Sequence, residues 1–106
     1  MKNALRAIFV LLMFAIVLSG SSLAQGGADT FKAKCAMCHG SDGKGQTAMG
    51  KNLNLHDLGS AEVQSQSDAD LNNIITNGKG KMPKYDGKLT KDQISDLVKY
   101  IRTLKR

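Results

Sequence analysis

Cys35-Ala36-Met37-Cys38-His39 puts two thiols and an imidazole within five residues. Two cysteines three apart on a helical turn project to the same side of the chain. A histidine directly after the second cysteine adds a nitrogen ligand on that side. Cys-x-x-Cys-His is the pattern that attaches a c-type haem covalently, each thiol adding to one vinyl group. His39 would then lie under the iron and supply one axial nitrogen.

Other chemistries use parts of this pattern. Cys-x-x-Cys marks thioredoxin-like redox sites and half of many zinc sites. A thioredoxin-type site needs a βαβ context, and no strand-like run precedes Cys35. A structural zinc site needs four ligands. The chain has two cysteines and two histidines, so zinc would have to recruit the distant His56. A disulfide between Cys35 and Cys38 would close a very short loop.

The elements that position these residues must come from a small chain. Its 106 residues allow one domain. There is no Trp, and only two Tyr and three Phe. So small a core usually needs a staple, and a covalent haem would supply a large apolar disc. The formal net charge is +6. The lysines are scattered and not interleaved with aromatics, which argues against nucleic acid. A basic face for an acidic protein partner or a membrane surface is the better reading.

Residues 1–24 read as a signal peptide. Lys2 and Arg6 precede an unbroken apolar run over residues 7–18. That run is short for a membrane span, which needs about 20 residues. Ser22-Leu23-Ala24 predicts cleavage after Ala24, leaving a domain over residues 25–106. An uncleaved leader acting as an anchor is the alternative.

Four helices are predicted. The first covers residues 28–38, with Phe31, Cys35 and Cys38 on one stripe. Residues 40–58 read as a glycine-punctuated loop with Leu53, Leu55 and Leu58 turned inward. Ser60 caps a short helix through residue 64, and Ser67 caps another that ends at Asn77-Gly78. A second loop, residues 79–89, holds the only proline, Pro83. Thr90-Lys91-Asp92-Gln93 is a full capping box opening a helix to about residue 104. Ile94, Leu97, Val98, Ile101 and Leu104 form its apolar face. No strand is expected, so the class is all-α.

The Cys-x-x-Cys-His segment, Met82-Pro83 in a late loop and a terminal amphipathic helix occur in the order of the class I c-type cytochromes. The chain resembles these, particularly the small bacterial and photosynthetic members of the cytochrome c6, c551 and c553 type. The resemblance covers residues 26–106. It implies a small cytochrome c fold of about four helices around one haem. It also implies crossing terminal helices that meet through Gly27 and Phe31 on one and Leu97 and Tyr100 on the other.

The resemblance makes His39 the proximal ligand and Met82 the distal one, with haem c held through Cys35 and Cys38. Among the five methionines, Met1 and Met13 lie in the leader and Met37 sits inside the attachment loop. Met49 falls in the first loop, whereas Met82 is braced by Gly80 and Pro83. His56 is the rival sixth ligand; a solvated or propionate-contacting role is the plainer reading for it. The family's Gly-Pro-x-Leu, whose proline carbonyl accepts from the proximal histidine, is here Gly50-Lys51-Asn52-Leu53. Another backbone carbonyl is expected to serve. The family's tryptophan to a propionate is missing, which leaves Asn52 or Tyr85 as donors.

The function implied is one-electron transfer between a donor and an acceptor redox protein, outside the cytoplasmic membrane. The compartment is the periplasm, or the thylakoid lumen in a photosynthetic setting. No bond is made or broken, so no enzyme is expected. Lys32, Lys34, Lys44, Lys79, Lys81, Lys84 and Lys88 stand near the attachment helix or the Met82 loop, where several could face acidic patches of a partner. Nucleic acid is not expected. Membrane contact is expected only through partners or an uncleaved leader, and a monomer is the default state. A competing class is a gas sensor or peroxidase, which needs an open or displaceable sixth position. Another is a non-haem thiol-redox or zinc protein.

Overall fold

The computed structural model describes residues 22–106. The expected signal peptide, residues 1–24, falls outside the described residues, apart from its last three. Six helices follow in order: α1 (Ser22–Lys34), α2 (Ala36–His39), α3 (Ala48–Asn52), α4 (Ala61–Gln64), α5 (Asp68–Asn77) and α6 (Lys91–Thr103). Among the described residues there is no strand, only isolated bridges pairing Lys79 with Met82 and Asp86 with Leu89. No described helix is long and apolar enough to cross a membrane.

The caps set most boundaries. The Ser60 side chain accepts from Val63 N, and Ser67 from Asp70 N. Thr90 accepts from Gln93 N while the Gln93 side chain accepts from Thr90 N, the complete reciprocal box. Each such cap is worth about 1 kcal/mol. α6 then buries Ile94, Leu97, Val98 and Ile101 on one face. Phe31 of α1, Val63 of α4 and Leu71 and Ile75 of α5 complete the buried core.

α1 and α6 cross at the pair of contacts the family resemblance implies. A Cβ on Gly27 would lie 2.6 Å from the Asp96 carbonyl oxygen and 3.2 Å from Tyr100 Cβ. Beside this, the Phe31 and Tyr100 rings sit 5.1 Å apart and tilted by 48°. Gly27→Ala would gain up to about 1 kcal/mol in helix propensity. Forcing backbone apart at a packed crossing costs about 1–3 kcal/mol. The clash wins, so a denaturant melt of the haem-loaded variant is expected to show a lower midpoint. An unchanged or higher midpoint would show that the helices do not cross here.

Three differences from expectation stand out. α1 begins at Ser22, ahead of both residue 28 and the expected cleavage point. The first helix does not run through to Cys38: it breaks at Cys35 (φ −116°, ψ −32°), and α2 restarts at Ala36. The loop over residues 40–58 contains α3, capped by the Thr47 side chain accepting from Gly50 N.

Candidate functional site

The break between α1 and α2 presents the attachment segment. Cys35 N still donates to the Phe31 carbonyl, while Cys38 N and His39 N both donate to the Cys35 carbonyl. The segment therefore turns tightly, and Cys35, Cys38 and His39 all line one cavity. Thr47 Oγ1 donates to the Cys38 carbonyl at 2.6 Å, which pins α3 beneath this turn.

The cavity holds about 410 Å³ and its walls are mostly apolar. Phe31, Leu71, Ile75 and Leu97 reach it from the core, and Leu53, Leu55 and Leu58 from the first loop, as expected. Met82 lines it from the second loop. The Met82 segment is positioned by the end of α5, where Gly78 adopts φ +76°. A Cβ there would lie 2.6 Å from the Met82 carbonyl oxygen, so only glycine lets the segment turn back this closely.

The other described methionines point away. Met37 is 81% exposed and Met49 47% exposed, and neither lines the cavity. His56 does reach the cavity, but its Nδ1 pairs with Glu62 at 3.4 Å and its side chain is 67% exposed.

Electrostatics separate the alternatives. Burial, and secondarily the neighbouring Cys38, push the Cys35 thiol up to about 11. A redox-active or exchanging cysteine needs the opposite, a stabilised thiolate. Among the described residues no group of three or more His, Cys, Asp or Glu is arranged to hold a metal ion, as a zinc site would require. Burial also lowers the His39 imidazole below its usual range, which favours the neutral form with a free lone pair.

His39 Nδ1 is buried without a hydrogen-bond partner. The backbone carbonyl expected to accept from it is not supplied. Without proline the Gly50-Lys51-Asn52 segment winds into α3. Two of its carbonyls accept locally, Gly50 O from Leu55 N and Lys51 O from Asn54 N. Neither expected substitute for the missing tryptophan is free at the cavity. Asn52 is exposed and off the lining, and the Tyr85 hydroxyl donates to the Lys34 carbonyl. Asn54 lines the cavity instead, in a left-handed conformation with φ 54°.

Two arginines bind the frame together in a way the sequence did not reveal. Arg102 donates to the Gln64 carbonyl at 2.9 Å, the Gln66 carbonyl at 2.5 Å and Asp68 Oδ1 at 2.9 Å, closing the α4–α5 corner. Arg106 contacts Asp57 and donates to the Asp42 carbonyl, holding the first loop against the C-terminus.

The donor set fits a haem: two thiols at one side, a neutral imidazole, a soft thioether opposite in sequence, and apolar walls between. The family model described as "Cytochrome C oxidase, cbb3-type, subunit III" matches residues 22–101. The chain is 37% identical to cytochrome c6 of Rippkaea orientalis over 95% of its own length and 92% of that protein's. It is 32% identical to the cytochrome c subunit of a quinone-dependent alcohol dehydrogenase from Gluconacetobacter polyoxogenes, over 83% of this chain but 20% of that one. The solved structure of the KustC0563 c-type cytochrome superposes with a TM-score of 0.70 at 30% identity, covering 76% of this chain and 98% of that one.

The chain belongs to the class I c-type cytochromes. It is a small member with a single Cys-x-x-Cys-His segment, its cofactor is haem c, and its place is in electron transport.

Proposed function

We propose that the chain is an exported, non-enzymatic carrier of single electrons between two redox proteins, with the haem held by Cys35 and Cys38 and its iron ligated by His39 and Met82. The observation that carries this reading is that these four side chains, and no other described methionine, line one apolar cavity. When bound, the haem supplies a one-electron couple between ferrous and ferric iron. The cysteines fix the cofactor at its edge through two thioether bonds. His39 offers a neutral nitrogen, kept neutral by burial. Met82 offers a weak, soft sulfur that favours the reduced state and so raises the potential relative to two nitrogens. With the haem bound, the apolar walls would keep water from its faces. With His39 and Met82 both on the iron, no position would be left for a substrate.

Export rests on the leader-like residues 1–24 and on the redox setting of haem attachment. A mature domain over residues 25–106 is the accompanying proposal. His56 remains the alternative ligand only if the Met82 sulfur is absent from the iron.

Lys34, Lys79 and Lys81 are exposed and line the cavity mouth. They form the surface that would meet an acidic partner, in the small, weak contact expected of electron-transfer encounters. Steering of this kind decays with the Debye length, about 10 Å at 0.1 M salt and about 3 Å at 1 M. Stopped-flow oxidation by an acidic redox protein is expected to slow at least tenfold from low salt to 0.5 M. Fast, one-electron but salt-independent transfer would remove the docking surface from the proposal. Failure of the protein to cycle reversibly by one electron in voltammetry would remove the carrier itself.

A further inference from the structure

Residues 78–89 carry the chain from α5 back to α6 by way of Met82. The first half is a tight turn: Met82 N donates to the Lys79 carbonyl at 3.0 Å and Lys79 N to the Met82 carbonyl at 3.2 Å. The second half is fixed at Tyr85, whose backbone N donates to the Ile75 carbonyl at 3.1 Å. Its own carbonyl accepts from Lys88 N and Leu89 N, each at 3.0 Å.

The Tyr85 side chain reaches in the other direction. Its ring is half-buried against the core and lines the cavity. Its hydroxyl donates to the Lys34 carbonyl at 3.0 Å. Lys34 is the last residue of α1, so its carbonyl is one of those a helix leaves without a partner of its own. The next residue is Cys35. One hydroxyl therefore ties the segment that carries Met82 to the residue before the attachment cysteine, across two sides of the cavity. Pro83, with its fixed φ, lies between Met82 and Tyr85 and stiffens the link.

We propose that Tyr85 is a positioning residue, a latch whose hydroxyl holds the Met82 segment on the cavity and limits its displacement by outside ligands. The inference rests on the reading of Met82 as the sixth ligand. Tyr85 acts by restricting where the segment can go.

The test uses the haem-loaded protein and Tyr85→Phe, which keeps the ring and removes the hydroxyl. Imidazole is titrated into both oxidised proteins while the weak near-infrared sulfur-to-iron band is followed. Both proteins are expected to show the band before imidazole is added. Loss of one hydrogen bond that opposes opening is expected to raise the apparent imidazole affinity of the variant roughly twofold to tenfold. Equal imidazole affinities overturn the latch, even if the variant melts earlier, because a purely structural role would move the melt and not the competition at the iron. A wild-type protein without the band overturns the Met82 assignment itself, and the two failures are told apart by that first spectrum.

Discussion

A haem-free variant, Cys35→Ala/Cys38→Ala, is expected to show no cooperative unfolding transition. The reason is the size of the space the fold surrounds. A cavity of about 410 Å³, left empty, would cost about 10 kcal/mol at roughly 24 cal/mol per Å³. The cavity opens to solvent, so water entry or collapse lowers that figure. Even part of it is a large share of the stability of an ordinary domain, about 5–15 kcal/mol. The buried residues that remain come from four short elements, and without the disc Leu53 and Leu55 of the first loop have little to pack on. His39→Ala is expected to fail in the same way once haem is not retained. Circular dichroism during heating measures this directly. A sharp, native-like melt of the haem-free chain would mean that the helices form their core without the cofactor.

Met82→Ala is expected to abolish the sulfur-to-iron band completely, to lower the reduction potential, and to let the reduced protein bind carbon monoxide. The change removes the only described methionine that lines the cavity, and no described residue beside it replaces a soft sulfur. The fold should survive. Met82 is half-buried, so the truncation cost falls below the 2–5 kcal/mol of a fully buried methionine. Met37→Ala and Met49→Ala serve as controls and should leave the spectrum unaltered, since both side chains are exposed. Persistence of the band in Met82→Ala would move the sulfur ligand elsewhere in the chain.

Much of this was legible in the sequence because local chemistry determined it. Ser60, Ser67 and Thr90 are caps whose hydrogen bonds span three residues, so their helices could be read from short stretches. The face Ile94, Leu97, Val98, Ile101 follows from a period of 3.6. Cys35 and His39 were read from the Cys-x-x-Cys-His motif and Leu53 from the glycine-punctuated loop, whereas Met82 opposite them followed from the family resemblance, which supplies the long-range pairing that local patterns lack. The break at Cys35 was not legible, because a continuous helix also puts Phe31, Cys35 and Cys38 on one stripe. α3 was hidden by Gly50, which reads as loop punctuation yet sits inside the helix under a Thr47 cap. The ties made by Arg102, Arg106 and Tyr85 join residues 34 to 64 positions apart. Nothing local signals such contacts. The orphaned Nδ1 of His39 is the converse case: the missing proline was visible, but that α3 would absorb the nearby carbonyls was not.

The central claim is that His39 and Met82 fill both axial positions of one covalent haem. The most direct measurement is the visible and near-infrared absorption of the haem-loaded protein, oxidised and reduced, with and without carbon monoxide. The account predicts a low-spin c-type spectrum, a weak sulfur-to-iron band in the oxidised form and no response to carbon monoxide. A low-spin spectrum lacking that band, or a high-spin spectrum that shifts with carbon monoxide, would contradict it.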